Sequence, residues 1–284
     1  MEGITLKTAP TESTVAELSQ LLEAWFLDLG PCLIAYSGGV DSGLLAYVAG
    51  KTLGQNSLCV LADGSALSNR ERTHAIDFAE KHDLKLQIVQ TQEMEKEGYL
   101  ANAGDRCYFC KQALFEKMEE VRAEMGKISK GNQPVVYGVN LDDLGDYRPG
   151  LQAAKEAQVK SPYLDLKIDK KSVRELCRHY QLNLAEKPAM PCLASRIPHG
   201  ERVDQNKLNQ IERGEDYLYS LGLRICRVRH HGDLARIEVA PEDFSFILEN
   251  GKGIQDHFIT LGFQFTSLDL GGFTSGKLNR TLGH

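Results

Sequence analysis

The chain passes from an apolar strand into a helix through Ser37-Gly38-Gly39-Val40-Asp41-Ser42. The two glycines let the backbone approach a ligand closely, and the hydroxyls of Ser37 and Ser42 can donate hydrogen bonds. The helix that begins near Ser42 directs free N–H groups and the positive end of its dipole toward an anion. This stretch therefore predicts a phosphate-binding turn at the end of a first buried strand.

Short apolar runs alternate with longer helical patterns on both sides of this turn. The apolar runs lie at 33–36, 58–62 and 86–89, and the helical patterns lie between them at 43–53 and 71–81. Such alternation is typical of βαβ units whose parallel sheet is covered on both faces. It predicts an α/β fold with a doubly wound, mainly parallel sheet. A further buried strand is predicted at 134–138, and further helices at 108–125 and 171–180.

A proline-rich connection at 187–200 is predicted to be ordered and non-helical. We place the domain boundary at its end, which gives a first domain at 1–200 and a smaller α+β domain at 201–284. The predicted elements of the second domain are a helix capped by Asp204 and ended by Gly222, and strands at 223–228, 234–239 and 264–268.

Length and composition limit the function classes. A chain of 284 residues with 42% hydrophobic and 25% charged residues is ordinary for a globular protein of two domains. Its net charge of −6 argues against a protein that mainly grips a nucleic-acid backbone. Neither a bilayer-spanning apolar run nor a signal core is evident, so we expect a cytoplasmic protein without a membrane partner.

Seven cysteines are an odd number, which does not fit a disulfide framework. Four lie in apolar strand or helix patterns and are predicted to be core residues: Cys32, Cys59, Cys177 and Cys226. The other three, Cys107, Cys110 and Cys192, lie in polar or proline-rich surroundings and are placed for chemistry.

These three cysteines admit several interpretations. A thioredoxin-type pair would directly follow a first strand, which Cys107 and Cys110 do not. A zinc site would need a fourth ligand, which His199 could supply. Three thiolates suit an iron–sulfur cluster whose fourth iron is open, and simple packing of Cys107 and Cys110 is the remaining interpretation.

The loop resembles the pyrophosphatase loop of adenylating ATPases, the PP-loop or adenine nucleotide alpha hydrolase type, rather than the Walker type. In that superfamily the loop grips pyrophosphate while an acceptor oxygen attacks the alpha phosphate of ATP. The resemblance implies that Asp41 helps to place Mg²⁺ and that Asp63, at the end of the second strand, lies beside the adenosine. The residues implied in ATP binding are Ser37, Gly38, Gly39, Asp41, Ser42 and Asp63.

Further stretches resemble the LarE family, which inserts sulfur during synthesis of the nickel-pincer nucleotide cofactor of lactate racemase. The resemblance spans nearly the whole chain, and its most specific phrases are Asp146-Tyr147-Arg148-Pro149-Gly150 and Leu268-Asp269-Leu270-Gly271-Gly272-Phe273. It implies that ATP adenylates the carboxylates of pyridinium-3,5-biscarboxylic acid mononucleotide and that a sulfur nucleophile displaces AMP to leave thiocarboxylates.

The family contains two cysteine patterns. Members with only the cysteine that matches Cys192 sacrifice its sulfur, whereas members with the additional pair bind a 4Fe-4S cluster that delivers a sulfide. This chain has both, so the resemblance implies that Cys107, Cys110 and Cys192 hold a cluster near the adenylate. Sacrificial donation by Cys192 alone is the alternative.

A phosphorylated substrate needs fixed cations. Arg227 and Arg229 alternate along a predicted strand and so face the same side, and Arg196 with Ser195 could join them in binding the substrate phosphate. Solvated strand arginines are the alternative. Asp142, Asp143, Asp146 and Arg148 are candidates for Mg²⁺ or substrate positioning, or form a solvated acidic turn.

The resemblance also implies a homo-oligomer, a trimer-based hexamer, in which Glu215 contacts a metal at a subunit interface. Three other functions remain open: a cluster-dependent enzyme that thiolates tRNA, an ammonia-fed amide synthetase and a nucleotide sensor without catalysis. The acidic net charge argues against the first, and the three cysteines argue against the second.

Overall fold

The structure, a computed structural model, describes residues 12–126, 133–145 and 149–274. The strands are β1 (Cys32–Tyr36), β2 (Ser57–Ala62), β3 (Leu86–Val89), β4 (Val135–Val136), β5 (Cys226–His231), β6 (Leu234–Val239) and β7 (Phe265–Leu268). The helices are α1 (Glu12–Leu29), α2 (Val40–Leu53), α3 (Asn69–Lys81), α4 (Glu97–Leu100), α5 (Arg106–Gly126), α6 (Pro149–Glu156), α7 (Pro162–Asp165), α8 (Lys170–His179), α9 (Gln205–Ser220), α10 (Phe244–Glu249) and α11 (Gly251–Thr260).

The described residues form two compact units. Unit 1 takes its residues from 12–63, 70–91 and 114–188, and unit 2 from 64–69, 92–113 and 189–274. Segments 64–69 and 92–113 thus pack with the carboxyl-terminal part of the chain. The division into a first domain at 1–200 and a second domain at 201–284, each with its own part in the function, stays a prediction.

Unit 1 contains a parallel sheet with the strand order β3-β2-β1-β4. Every residue of β1 is buried, and so are the first five of β2, because helices cover both faces of the sheet. Helices α1, α2 and α8 pack against one another on this sheet. The predicted fold class, a mainly parallel sheet of the PP-loop type, is confirmed.

Unit 2 contains a separate sheet with the order β5-β6-β7, in which β5 and β6 are antiparallel and β6 and β7 are parallel. The apolar faces of α9, α10 and α11 pack on it around residues such as Leu218, Ile254 and Phe258. Asp204 caps α9 as predicted, because its carboxylate accepts from the N–H of Lys207 at 2.9 Å.

Most predicted elements are present with shifted ends. Helices α5 and α8 match the patterns at 108–125 and 171–180, whereas β4 is shorter than the predicted 134–138. Strand β5 begins at Cys226, because residues 223–225 form the bend after α9. None of the helices in the described ranges combines the length and the apolar character that crossing a bilayer requires.

Candidate active site

The predicted phosphate loop follows β1 and leads into α2 in unit 1. Strand β1 lies between β2 and β4, so the chain order reverses here and a crevice opens at the carboxyl end of β1. The N–H of Ser37 donates to Ser42 Oγ at 3.1 Å, and the two hydroxyl oxygens are 3.0 Å apart. Among the described residues no side chain caps α2 at Gly39, so the N–H groups of its first turn can serve an anion.

Gly38 combines a left-handed backbone with a close approach to α3. Its φ is +69°, and a Cβ at this position would lie 2.6 Å from Cβ of Ala75. We expect Gly38→Ala to lower the free energy of unfolding by the backbone strain, about 1 kcal/mol, and by a further ~1–3 kcal/mol of overpacking. The matched variant is Gly30→Ala, since Gly30 has φ +73° and no atom within 4 Å of an added Cβ. Chemical denaturation of both proteins checks this, and equal losses would contradict the role of the close approach.

Asp41 lies in the first turn of α2, with its carboxylate between two polar partners. One oxygen accepts from Asn140 Nδ2 at 3.1 Å, and the other is paired with the ammonium of Lys170. The hydroxyl of Tyr163 donates to the backbone carbonyl of Asp41 at 2.9 Å. The carboxylate is therefore held in place, partly exposed, with a cation beside it.

Two lysines at the loop were missed in the sequence. Lys187 donates to the carbonyl of Gly38 at 3.0 Å and forms an ion pair with Glu71 at 2.8 Å. Lys170 reaches Asp41 from the first residue of α8. Both bring positive charge to a loop suited to a polyphosphate. Neither lies in a local pattern that marks it, because both reach the loop from distant parts of the chain.

Two other predicted carboxylates are held by protein donors. Asp63 accepts from Arg72 Nε at 3.0 Å and from Gln90 Nε2 at 2.9 Å. Asp142 accepts from the N–H of Lys170 at 2.7 Å and so supports the start of α8. Their roles toward ATP and Mg²⁺ stay predictions. Asp146 and Arg148 lie outside the described residues.

The seven cysteines fall into two groups. The four predicted core cysteines, Cys32, Cys59, Cys177 and Cys226, are buried. Burial raises the pKa of each of them to about 12, so these thiols are inert at neutral pH. In unit 2, Cys107 and Cys192 are exposed and Cys110 is half-buried. Cys107 and Cys110 lie in the first two turns of α5, and Cys192 precedes a single 3₁₀ turn at 193–196.

These three cysteines share one electrostatic environment. Burial raises the pKa of Cys110 to about 12, Lys111 acts to lower it, and the neighbouring Cys192, Glu93 and Cys107 act to raise it. In the part of the chain that the structure describes, no three His, Cys, Asp or Glu side chains are arranged around one metal position. The donor set nevertheless fits a 4Fe-4S cluster, with three thiols for three irons and one iron open. Binding would have to draw the thiols together and release their protons.

Arg196 braces the loop that carries Cys192. Its Nε and Nη2 donate to the two oxygens of Glu215 at 2.9 and 3.0 Å. Its Nη1 donates to the carbonyl of Cys192 and to Ser195 Oγ at 3.0 Å each, and also to the carbonyl of Pro191. Arg196 is 2% exposed, and each of its three guanidinium nitrogens donates to a protein acceptor. Its phosphate-binding role stays a prediction, and so does that of Ser195.

Glu215 occupies the interior of unit 2. Besides Arg196, its Oε1 accepts from the N–H of Val228 at 3.1 Å, and the residue is 4% exposed. This differs from the metal-contacting interface position that the resemblance implied, because both carboxylate oxygens already have partners within unit 2.

Arg229 holds the same cysteine loop from β5. Its Nη1 donates to the carbonyl of Ser195 at 3.0 Å, and its Nη2 pairs with Glu238 at 2.8 Å. Arg236 lies 3.4 Å from the other oxygen of Glu238, so one carboxylate serves two guanidinium groups. Arg229 and Arg236 therefore share Glu238 as an ion-pair partner.

Arg227 is the buried arginine beside this loop that has no acidic partner among the described residues. It is 2% exposed, and its hydrogen bonds include the carbonyl of Cys226 at 2.6 Å, the carbonyl of Ala189 at 3.4 Å and Met190 Sδ at 3.3 Å. Burial lowers the pKa of Arg227, and the positive charge of Arg196 lowers it further. The guanidinium also lies over the ring of Phe273, 5.0 Å from its centroid. Because a buried charge without a carboxylate partner is costly, Arg227 is the strongest candidate in unit 2 for holding an anion.

The parallel sheet and the loop at its switch point define an α/β protein of the PP-loop class. No family model matches the chain. It is 31% identical over 271 residues to the pyridinium-3,5-bisthiocarboxylic acid mononucleotide synthase of Lactiplantibacillus plantarum, a match that covers 95% of this chain and 96% of that protein. The chain belongs to the family of that synthase, the LarE family.

The chain is similar to two further proteins. An uncharacterized protein of Synechocystis is 42% identical over 264 residues, covering 92% of this chain and 96% of the relative. One of the subunits of the glutamine-hydrolyzing GMP synthase of Thermoplasma volcanium is 45% identical over 60 residues, 21% of this chain and 19% of that protein. The short match agrees with the likeness of the loop to those of adenylating ATPases.

Proposed function

We propose that this chain is an ATP-dependent sulfur transferase that converts the carboxylates of pyridinium-3,5-biscarboxylic acid mononucleotide into thiocarboxylates. One observation carries the proposal. The chain is related along its length to a synthase of the bisthiocarboxylic mononucleotide, and it combines a PP-loop with an exposed Cys192 on a loop held by three buried arginines.

Unit 1 performs the activation step in this proposal. The N-terminus of α2 and the hydroxyls of Ser37 and Ser42 bind the leaving pyrophosphate, with Lys170 and Lys187 adding positive charge. Asp41 exchanges Lys170 for Mg²⁺, a hard cation that prefers carboxylate oxygen. A substrate carboxylate oxygen forms a bond to the alpha phosphorus as the bond to pyrophosphate breaks, which leaves an acyl-adenylate.

Unit 2 performs the transfer step. A sulfur nucleophile supplied at the cysteine site adds to the acyl carbon, and AMP departs with the bonding electron pair to leave the thiocarboxylate. When bound to Cys107, Cys110 and Cys192, a 4Fe-4S cluster would supply that sulfur as a sulfide on the iron that lacks a cysteine ligand. Arg196 keeps Cys192 oriented by fixing the carbonyl of that residue.

The cysteine assignment is tested by anaerobic reconstitution with iron and sulfide. We expect stoichiometric iron and sulfide in the wild-type protein, and their loss when any one of Cys107, Cys110 and Cys192 is changed to alanine. Cys59→Ala is the matched control, because Cys59 is a core residue of β2 in unit 1. A protein that takes up only zinc, or that keeps its iron in all three variants, contradicts the assignment.

Arg227 anchors the substrate phosphate in this proposal. We expect Arg227→Ala to raise the KM for the mononucleotide by about 10- to 100-fold, the worth of one charged hydrogen-bonding partner, without changing the KM for ATP. Arg224→Ala is the control, since Arg224 is exposed next to β5. Steady-state kinetics on both variants checks this. Equal losses for substrate and ATP would point to misfolding and contradict a specific anchor.

A further inference from the structure

Tyr99, on the short helix α4 of unit 2, carries a buried hydroxyl that the protein does not use. The residue is 1% exposed and packs with Leu193, Ala194 and Cys110. Its hydroxyl has no hydrogen-bond partner among the described residues. A phenol whose oxygen stays unpaired inside a protein is less favourable than phenylalanine of the same shape, so the hydroxyl calls for a ligand.

The surroundings of this hydroxyl indicate the kind of ligand. Burial raises the pKa of Tyr99, and the charges of Cys192, Cys110 and Glu93 raise it further, while Arg106 opposes them. A phenol is a neutral O–H donor at neutral pH, and the buried cluster of Tyr99 includes Leu193, the residue after Cys192, and has Cys110 packed against it. Because cysteines bind metal as thiolates, an O–H donor at this place is complementary to an anionic sulfur acceptor.

Arg106 makes the same pocket positive. It is buried, and Nη1 donates to the neutral acceptors Asn102 Oδ1 at 2.5 Å and the carbonyl of Ala194 at 2.7 Å. Among the described residues Arg106 forms no ion pair with a carboxylate, so its buried charge is available to an anion held at the cysteine site.

We propose that the Tyr99 hydroxyl donates a hydrogen bond to the anionic sulfur held at Cys110 and Cys192, with Arg106 as the fixed positive charge beside it. The proposal rests on the proposed function, because it takes Cys107, Cys110 and Cys192 as the sulfur site. It adds a donor that stabilises negative charge on the sulfur atoms and holds them in one orientation.

The apo protein gives the first test, with Tyr99→Phe and the matched variant Tyr217→Phe. Tyr217 lies on α9 of the same unit, with its hydroxyl 3.4 Å from the carbonyl of Gly253. In metal-free, reduced protein we expect the melting temperature of Tyr99→Phe to equal or exceed that of the wild type, since an unpaired polar atom is removed. A melting temperature clearly below that of Tyr217→Phe would show a structural partner for the hydroxyl and overturn the proposal.

The reduction potential of the reconstituted protein gives the decisive test. Hydrogen bonds to cluster sulfur favour the more negatively charged reduced state, so the potential of Tyr99→Phe should shift to more negative values while that of Tyr217→Phe stays at the wild-type value. Unchanged potential in Tyr99→Phe, with wild-type iron and sulfide content, overturns this inference and leaves the sulfur-transfer function standing. A wild-type protein that binds neither iron nor sulfide removes the cluster assignment and this inference together.

Discussion

The Cys192→Ala protein is expected to form the acyl-adenylate and to make no thiocarboxylate. Removal of the nucleophilic or sulfur-holding group should reduce product by about 10³-fold or more, because the remaining groups act only with it. In the proposed function the activation step uses unit 1, whereas Cys192 belongs to unit 2. Pyrophosphate should therefore appear in the first turnover, whereas sulfur-containing product should not. A pyrophosphate-release assay and mass spectrometry of the nucleotide measure the two.

Two comparisons make this result specific. Cys192→Ser keeps the size and polarity of the side chain and is expected to be as inactive as Cys192→Ala, because oxygen cannot replace the sulfur. Cys59→Ala removes a buried cysteine and should cost some stability while keeping sulfur transfer. Thiocarboxylate formation by Cys192→Ser at the wild-type rate would remove Cys192 from the proposed function.

Asp41→Asn is expected to abolish the earlier step. The carboxylate is positioned by Asn140 and carries the cation beside the loop, so its loss removes the place for Mg²⁺ at the leaving pyrophosphate. We expect a fall of about 10²–10³-fold in both pyrophosphate and AMP formation, the usual effect of removing one fixed electrostatic group. A coupled pyrophosphate assay over a range of Mg²⁺ concentrations measures it.

Asp77→Asn provides the matched change, since Asp77 is exposed on α3 of the same unit. It should behave as the wild type. Asp41→Asn with an unchanged melting temperature and a normal rate of pyrophosphate release would show that the metal is held elsewhere. A lower melting temperature of Asp41→Asn would not by itself explain a loss of the Mg²⁺ dependence of pyrophosphate release.

The parts of the site that follow local rules could be predicted from the sequence. The loop was recognisable because the full pattern Ser-Gly-Gly-x-Asp-Ser after an apolar strand is far more specific than a glycine-rich turn, and the structure places it at the switch point of the sheet. Alternation along a strand put Arg227 and Arg229 on the same side, and both do contact the loop at 189–195. The separation of core cysteines from Cys107, Cys110 and Cys192 followed from the polarity of their neighbours.

The rest depends on contacts between distant parts of the chain. Lys170 meets Asp41 across 129 positions of sequence, and Tyr99 meets the cysteine site only after α4 packs with residues near 193. Arg196 also holds the cysteine loop, because its three nitrogens donate to Glu215 and to three acceptors at 191–195. Its phosphate-binding role stays a prediction. No local pattern distinguishes a guanidinium that holds a loop from one that holds a ligand.

The buried arginines connect these findings to the proposed chemistry. Arg196 and Arg229 each have a carboxylate partner and also hold the backbone of the cysteine loop, so in the proposed function they position Cys192. Arg227 has no such partner among the described residues and keeps its charge for an anion. The loop thus carries a sulfur group beside a cation suited to the phosphate of a mononucleotide.

The most direct measurement is mass spectrometry of nucleotide and protein after anaerobic turnover of reconstituted protein with ATP, Mg²⁺, sulfide and pyridinium-3,5-biscarboxylic acid mononucleotide. We expect sulfur to replace carboxylate oxygen, AMP and pyrophosphate to form in equal amounts with each replacement, and many products to arise per chain while Cys192 keeps its mass. AMP release without sulfur in the nucleotide would contradict sulfur transfer, and one product per chain with sulfur lost from Cys192 would contradict delivery by a cluster.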